Sequence, residues 1–353
     1  MGAFDSKSGK VGEIDFKELL LGSLGAERPE VIHGAQFGVD TSIIDLGGGQ
    51  GLAISSDPLS LIPSMGMEVS AWLSVHLLVN DMATTGFCPQ YAQFVLNLPT
   101  SLSKEDFSSY WSHIHSLCKK LGISITGGHT GQIPGQESTI SGGGTMFLHA
   151  PIHQMITSNR AQAGDKLIMS KSAGLSSTSL LAMAFPDSVS DQLGSEIQQK
   201  AAANFWQLSA LPEALTARRV LANDELHAMH DVTEGGILGA LYELARASEC
   251  GFQVDLKAIP LYEEALSVAE LFDINPLKSI GAGSMIFAVK PGSEQKLIAS
   301  LEKEGIDGAV VGELTDESVF QCTDYQNQEK KYHPTGIDPY WEAFFTALNK
   351  GWK

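Results

Sequence analysis

The stretch that decides the fold runs from residue 38 to residue 86 and begins Gly-Val-Asp-Thr-Ser-Ile-Ile-Asp-Leu-Gly-Gly-Gly-Gln-Gly-Leu-Ala-Ile-Ser-Ser-Asp-Pro. Its apolar and β-branched runs, Val39 to Leu46 and Leu52 to Ser56, are joined by glycines, which is typical of a β-hairpin. Asp57 and Pro58 follow the second run, so we expect that strand to end there.

A helix is predicted from Met67 onward, with one buried face, because apolar residues recur three and four positions apart. Asp81 lies next to this apolar stripe, where an unsatisfied carboxylate is costly. Asp40, Asp57 and the pair Asn80-Asp81 could therefore converge on one cation. The alternative is that Asp40 and Asp57 are turn and cap residues, because aspartate favours such positions.

Length and composition limit the possible classes of function. The chain has 353 residues, 43% of them hydrophobic, which indicates about two ordered domains. A formal charge of -18, without a cluster of Lys and Arg, argues against a nucleic-acid partner. We see no apolar core of a signal peptide and no run of about 18 apolar residues. We therefore expect a cytoplasmic protein without a membrane partner.

The four cysteines, Cys88, Cys118, Cys250 and Cys322, are far apart and form no Cys-x-x-Cys pair. This spacing predicts neither a metal site nor a disulfide framework.

A glycine-rich turn is predicted after a short strand at Ile123 to Thr126. The turn reads Gly127-Gly128-His129-Thr130-Gly131 and is a candidate ligand-facing loop. His129 could contact a phosphate or act as an acid or base near neutral pH. Alternatively, it is a structural histidine with satisfied nitrogens.

Composition changes around residues 150–163, so we predict a first domain of residues 1–155 and a second of residues 156–353. The second half alternates strands and helices, which is typical of a layered α/β domain. Within it, Asp231-Val-Thr-Glu-Gly-Gly stands between a short strand and an amphipathic helix from Ile237 to Ala247. A helix N-terminus suits a phosphate, although Asp231 could simply cap this helix.

In this order, the motifs resemble the aminoimidazole ribonucleotide synthetase superfamily, which includes the hydrogenase maturation carbamoyl dehydratase, thiamine-monophosphate kinase and selenophosphate synthetase. The resemblance extends to about Thr315 and is greatest to the branch of AIR-synthase-related proteins, near the hydrogenase maturation members. The motifs that carry it are Ser56-Asp57, Asn80-Asp81-Met-Ala with Gly86, Gly127-Gly128-His129-Thr130, Gly164-Asp165 and Asp231-Val-Thr-Glu-Gly235-Gly236.

The resemblance implies an α/β protein with two domains. The first domain, of α+β type, would form a shared β-barrel in a homodimer. The second would be a layered α/β domain, and ATP would lie in the cleft between the two domains. Mg²⁺ and the phosphates would be bound by Asp40, Asp57 and Asp81, with help from Asp231. The catalytic candidates are Asp81, His129 and Asp231. The candidate nucleotide-binding residues are Gly38, Asn80, Gly127, Gly128, Thr130, Thr233, Gly235 and Gly236.

Three departures from the superfamily refine the expected activity. Hydrogenase maturation members end in a cysteine that accepts the carbamoyl group, whereas here the last cysteine is Cys322 and the sequence closes on Lys353. Selenophosphate synthetase has a cysteine or selenocysteine, with a lysine, in a glycine loop, and residues 33–38 have neither. Thiamine-monophosphate kinase usually has an acid at the position of His129.

We therefore expect a magnesium- and ATP-dependent enzyme that phosphorylates an oxygen of a small-molecule substrate, as a kinase or as an ATP-driven dehydratase or cyclase. The alternative is a nucleotide-binding assembly protein, or a partner in metalloenzyme maturation, that lacks the terminal-cysteine chemistry.

Overall fold

The computed structural model describes residues 9–136, 139–334 and 336–353. They form two compact units: an N-terminal unit (residues 30–34 and 41–155) and a C-terminal unit (residues 9–29, 35–40 and 156–353). Residues 9–29 and 35–40 thus group with the C-terminal unit, whereas the sequence analysis assigned them to the first domain. The functional roles of the two predicted domains stay predictions.

The first helix, α1 (Glu13–Asp15), continues as a π-helix over Phe16–Leu21 and belongs to the C-terminal unit. Among the described residues, no helix is both long enough and apolar enough to cross a membrane.

The N-terminal unit is built on one six-stranded sheet with the order β1-β2-β3-β6-β4-β5. Neighbouring strands are antiparallel except for β4 and β5, which are parallel. Its elements are β1 (Val31–His33), β2 (Ser42–Gly47), β3 (Gln50–Ser60), a 3-10 turn (Pro63–Met65), α2 (Met67–Ala83), β4 (Tyr91–Pro99), α3 (Lys104–Leu121), β5 (Ser124–Ile133), β6 (Ile140–Pro151) and a 3-10 turn (Ile152–Gln154).

The predicted hairpin is confirmed as β2 and β3, but its second strand does not end at Asp57. Asp57 pairs with Gly144 of β6, and β3 continues to Ser60. Pro58 is tolerated because β2 pairs with β3 only as far as Ile54, so the missing N–H costs no hydrogen bond on that side. Asp57 is therefore a strand residue, and its interpretation as a cap is wrong.

The predicted helix is confirmed as α2, but it is buried on nearly all sides instead of one. The sequence conceals this because two serines on the helix bond to the backbone. Ser74 Oγ accepts from Ser60 N and donates to Ser60 O, both at 2.9 Å, and Ser70 Oγ accepts from Ile62 N at 2.8 Å. Polar residues that are satisfied in this way can be buried at little cost.

The predicted glycine-rich turn is wrong, because residues 124–133 form the continuous strand β5. Gly128 has φ 142°, and a Cβ there would lie 1.8 Å from the carbonyl oxygen of Phe94 on β4. The glycine is therefore explained by the close approach of two strands, and the stretch forms no loop.

The two faces of this sheet differ. Helices α2 and α3 lie on one face, where Phe94 and Leu96 of β4 are buried. Neither α2 nor α3 covers the other face, where Tyr91 is 39% and Val95 is 43% exposed. This alternation is typical of a sheet with one open face.

The C-terminal unit contains a seven-stranded sheet with the order β13-β12-β9-β11-β7-β10-β8, antiparallel except between β12 and β9. The predicted layered α/β arrangement is confirmed. Besides α1, its elements are β7 (Lys166–Ser170), α4 (Leu175–Ala184), α5 (Pro186–Leu193), α6 (Ser195–Ala203), a 3-10 turn (Asn204–Gln207), α7 (Leu211–Val220), β8 (Leu226–Asp231), α8 (Gly236–Ala247), β9 (Gly251–Asp255), α9 (Glu263–Leu271), β10 (Met285–Val289), α10 (Glu294–Lys303), β11 (Gly308–Thr315), β12 (Phe320–Thr323), β13 (Glu329–Lys331) and α11 (Pro339–Asn349).

A buried ion pair links β7 to the start of α7. Lys171, just after β7, forms a salt bridge with Glu213, and their side chains are 7% and 0% exposed. The Lys171 Nζ also donates to three backbone carbonyls, those of Gln207 and Ser209 at 2.8 Å and of Gly283 at 3.0 Å. The ammonium group is thus surrounded by acceptors.

Candidate functional site

Asp40 and Asp231 are distant in the sequence and adjacent in the C-terminal unit. Asp40 lies on the segment 35–40, and Asp231 is the last residue of β8. One ligand atom each of Asp40, His230 and Asp231 lie within 4.8 Å of one another. His230 and Asp231 are both 1% exposed. The predicted meeting of these two carboxylates is thus observed, with an imidazole between them.

Gly38 explains how Asp40 reaches this position. Its φ is 76°, and a Cβ there would lie 2.3 Å from the carbonyl oxygen of Glu243 on α8. Only glycine permits this conformation and this close approach. Gly38 therefore packs the segment that carries Asp40 against α8, and its nucleotide-binding role stays a prediction.

His230 is surrounded by carboxylates. Its Nδ1 lies 3.2 Å from Asp40 Oδ2 and 3.9 Å from Asp231 Oδ1, and its Nε2 lies 3.3 Å from Glu243 Oε2. The angles at these contacts do not suit hydrogen bonds. Among the described residues, neither His230 nitrogen nor Asp231 Oδ2 has a hydrogen-bond partner. Such buried, unsatisfied atoms are rare in folded proteins, and a functional role or a bound ion is one explanation for them.

Glu243 and Lys10 extend the cluster, and sequence reasoning missed both of them as well as His230. Lys10 Nζ lies 2.9 Å from Glu243 Oε2. Glu243 is 7% exposed within an apolar helix. A carboxylate in an apolar stripe is the feature that identified Asp81, and it could have identified Glu243 too.

The charges of this cluster shift one another's pKa. Burial alone would lower the pKa of His230, but Asp40, Asp231 and Glu243 raise it well above its ordinary value. Burial and the charge of Asp40 raise the pKa of Asp231, although His230 opposes this. Burial alone would raise the pKa of Glu243, but Lys10 and His230 lower it to about 2. In the absence of a metal ion, His230 is therefore a cation held by carboxylates.

The N-terminus of α8 has few free amides. Gly235 N donates to Asp338 Oδ2 at 2.9 Å, and Gly236 N donates to the carbonyl of Thr233 at 3.1 Å. The N-cap residue of α8 is Gly235, which has no side chain to cap the helix. The alternative that Asp231 caps this helix is therefore wrong. Phosphate binding by Thr233, Gly235 and Gly236 stays a prediction, and the two glycine amides already have acceptors.

Asp57 and Asp81 lie in the N-terminal unit, on the same side of β3. Ser55 Oγ donates to Asp81 Oδ2 at 2.7 Å. Side chains two positions apart on a strand share a face, so Asp57 lies on the face where Ser55 meets Asp81. Asn80, on α2, is fully buried. The structure therefore groups these two carboxylates within their own unit.

His129 lies on the other face of that sheet. His129 is opposite Val95 of β4, whose side chain is exposed. Asp57 is opposite Gly144 of β6, which in turn is opposite the buried Phe94 of β4. Alternate residues along a strand point to opposite faces. Within this unit, His129 is thus separated from Asp57 by the sheet. The candidate nucleotide-binding residues Gly127, Gly128 and Thr130 lie on β5 beside it.

The Gly164-Asp165 motif has a structural explanation. Asp165 is 2% exposed, and its carboxylate accepts from Gln162 N at 2.7 Å and contacts His227 Nδ1 at 2.8 Å. Asp165 therefore orders the entry to β7 and orients His227 on β8.

The four cysteines are free thiols. Burial raises the pKa of Cys88 and Cys322 to about 11 and that of Cys118 to about 12. It also raises the pKa of Cys250. Reactive cysteines require a lowered pKa, so none of these thiols is activated as a nucleophile.

Comparison with known proteins identifies relatives over most of the chain. It is 26% identical over 279 residues to the hydrogenase expression/formation protein HupE of Azotobacter chroococcum mcd 1, covering 77% of this chain and 76% of that protein. It is 27% identical over 270 residues to the selenide, water dikinase of Pelobacter propionicus, covering 68% of this chain and 73% of that protein.

Solved structures show the same fold. The E. coli hydrogenase maturation protein HypE superposes with a TM-score of 0.70 at 20% identity, covering 88% of this chain and 94% of that one. HypE in a HypE–HypF complex superposes with a TM-score of 0.69 at 15% identity, covering 91% of this chain and 99% of that one. HypE in complex with ATP superposes with a TM-score of 0.64 at 19% identity, covering 95% of this chain and 99% of that one.

Two family models match the chain in succession. The N-terminal domain of AIR synthase related protein matches residues 38–147, and the C-terminal domain of the same family matches residues 162–324. The chain therefore belongs to the AIR synthase related protein family, as the order of its motifs predicts.

Proposed function

We propose that this protein is a magnesium- and ATP-dependent enzyme that transfers a phosphoryl group to an oxygen of a small molecule, as a kinase or as the first step of a dehydration or cyclisation. One observation carries the proposal: the half-buried Asp40 and the buried Asp231 each place a carboxylate oxygen within 4.8 Å of the other in the C-terminal unit, and Asp231 Oδ2 has no partner among the described residues. Carboxylate oxygens are the ligands that Mg²⁺ prefers.

The residues present fit a bound metal–nucleotide complex. When bound, Mg²⁺ neutralises the negative charge that phosphoryl transfer develops. Asp40 and Asp231 would hold the ion, and it is part of the proposal that Asp57 and Asp81 act on the same ion. The ATP complex of a HypE relative with the same fold supports ATP as the nucleotide.

The acceptor is proposed to be an oxygen and not a thiol of this chain. All four cysteines have a pKa raised by burial, so at neutral pH each is a poor nucleophile. An acceptor from a small-molecule substrate, or from a partner protein, is consistent with this.

Calorimetric titration with ATP and Mg²⁺ tests the proposal. We expect Asp231→Asn, Asp57→Ala and Asp81→Ala to weaken binding at least about tenfold, because each removes a charge-neutralising ligand. Asp45→Asn is the matched control, because Asp45 lies in the β2–β3 hairpin and only accepts from Gly47 N at 2.7 Å. Absence of binding to the wild-type protein, or equal binding by Asp231→Asn, would disprove the proposal.

The second candidate function is nucleotide-dependent assembly, in which this chain assists the maturation of a metalloenzyme. The inactivated cysteines favour it, as do the hydrogenase maturation relatives and the HypE–HypF complex. Substrate-dependent release of ADP over many turnovers would argue against it. Affinity capture that recovers no maturation protein would also count against it.

We further propose that the protein is a homodimer formed through the open face of the N-terminal sheet. The exposed Tyr91 and Val95 lie there, and an identical subunit would bury them. Sedimentation at micromolar concentration should give a dimer for the wild type, and Val95→Glu should give a monomer. A wild-type monomer would contradict this.

A further inference from the structure

We propose that His230 is a ligand of the metal ion held by Asp40 and Asp231, and that the site binds divalent ions that accept both nitrogen and oxygen, such as Mn²⁺, Co²⁺ or Zn²⁺. This inference rests on the proposed function, because it uses the same carboxylates. It adds a residue and a class of ion that the sequence analysis did not assign.

Distances between the three side chains fit one ion. Bonds of about 2.1 Å, at angles of about 90° to 110°, place neighbouring ligand atoms about 3.0 to 3.4 Å apart. His230 Nδ1 lies 3.2 Å from Asp40 Oδ2 and 3.9 Å from Asp231 Oδ1. Both distances to His230 therefore lie within about 1 Å of the range for one ion, and all three ligand atoms lie within 4.8 Å of one another.

Two polar atoms of the cluster are free to bind an ion. His230 Nδ1 has no hydrogen-bond partner among the described residues, and the same is true of Asp231 Oδ2. Both residues are 1% exposed, so water does not readily satisfy these atoms. A bound cation would satisfy both at once.

A second layer of residues lies behind the imidazole. Glu243 Oε2 lies 3.3 Å from His230 Nε2, and Lys10 Nζ lies 2.9 Å from the same carboxylate oxygen. Ser158 Oγ donates to Asp40 Oδ2 at 2.9 Å. A carboxylate behind a histidine is the usual arrangement for fixing a ring whose other nitrogen binds a metal.

The ligand set predicts the class of ion. Carboxylates alone suit Mg²⁺, Ca²⁺ and Mn²⁺, whereas imidazole suits Zn²⁺ and other transition metals. One imidazole with two carboxylates therefore favours ions that tolerate both ligand types. We expect the protein to bind Co²⁺ and Mn²⁺ without nucleotide.

The experiment uses the full-length, metal-free protein titrated with Co²⁺ and Mn²⁺ alone. We expect a visible Co²⁺ absorption band typical of nitrogen coordination, and nitrogen hyperfine coupling to Mn²⁺ in pulsed paramagnetic resonance. His230→Gln should lose this coupling and bind Co²⁺ about 10 to 100 times more weakly. His227→Gln is the matched control, because His227 lies on the same strand but is held by Asp165, and it should match the wild type.

The outcomes separate this inference from the proposed function. Wild-type Mn²⁺ without nitrogen coupling would overturn the inference even if His230→Gln failed to fold, and His230 would then be only a cationic partner of the carboxylates. Unchanged Co²⁺ affinity and spectrum in folded His230→Gln would overturn it too. Binding of ATP with Mg²⁺, measured separately on the wild type, tests the proposed function. Nitrogen coupling to Mn²⁺ without ATP binding would support the metal site and refute the proposed enzymatic function.

Discussion

The C-terminal unit contains two buried groups of charges that are built in opposite ways. Lys171 and Glu213 form a direct ion pair, called closed here because the ammonium also donates to three backbone carbonyls, although Glu213 Oε2 has no hydrogen-bond partner among the described residues. In the cluster of Asp40, His230 and Asp231, Asp40 is half-buried, and both nitrogens of His230 and Asp231 Oδ2 have no hydrogen-bond partner among the described residues. A closed pair stabilises one conformation, whereas an open cluster is available for a ligand.

Their places in the fold explain this difference. Lys171 lies just after β7, and its amine is directed at carbonyls of the same unit. Asp231 ends β8, and Asp40 arrives on a separate segment that Gly38 packs against α8. Backbone carbonyls can satisfy an ammonium group but not a carboxylate, so the acidic cluster depends on a cation, which is His230 in the absence of a metal ion.

The largest expected effect comes from breaking the closed pair. Lys171→Met should lower the free energy of unfolding by about 3 to 5 kcal/mol, because it leaves the buried Glu213 carboxylate without its cation. Denaturant unfolding followed by circular dichroism measures this. Lys200→Met removes a pair in which both side chains are largely exposed, and this control should unfold like the wild type. A stable Lys171→Met protein would mean that the pair contributes little.

A smaller effect is expected from Asp338, a buried carboxylate that accepts hydrogen bonds from backbone amides. It accepts from Gly235 N and Tyr340 N at 2.9 Å, and burial raises its pKa from 3.8 to about 6. An acid with a raised pKa binds its proton more tightly in the folded state, so stability is lost as pH rises from about 4 to about 6. The contribution is about 3 kcal/mol.

Unfolding of wild type and Asp338→Asn at several pH values tests this expectation. Substitution should remove that part of the pH dependence, whatever it does to the stability at one pH. If both proteins show the same slope between pH 4 and pH 6, Asp338 is not the responsible group.

The smallest expected effect concerns Co²⁺ binding by the cluster of Asp40, His230 and Asp231. Glu243→Gln should weaken Co²⁺ binding about 10- to 100-fold, because it removes the carboxylate behind His230. Glu13→Gln is the control: Glu13 binds Arg246, also on α8, at 2.8 Å and does not contact His230. Calorimetry measures both. Equal affinities for the two variants would show that Glu243 does not support the imidazole.

Local patterns predicted much of the fold. The hairpin of β2 and β3 and the helix α2 formed where the apolar spacing indicated. Errors arose where contacts distant in sequence decided the outcome. Gly128 looked like a turn residue because its need for glycine comes from Phe94 on another strand.

The candidate site was predicted less completely, for a related reason. Asp40 was predicted from its place at the start of a strand and Asp231 from its place between a strand and a helix, whereas His230 was an ordinary strand residue by its local pattern. Its importance comes from Asp40 and Glu243, which approach from other elements. The catalytic role of His129 stays a prediction, although alternation along paired strands puts it and Asp57 on opposite faces of the N-terminal sheet.

The suppressed thiols make the protein unusually convenient for labelling. With pKa values of about 11 or 12 at Cys88, Cys118 and Cys322, the native cysteines should react with maleimides at least about ten times more slowly than a newly introduced surface cysteine at pH 7. Fluorophores or spin probes can therefore be attached at chosen positions in both units without first removing any native cysteine. Distance changes on adding ATP or metal would then be read directly from the native sequence background.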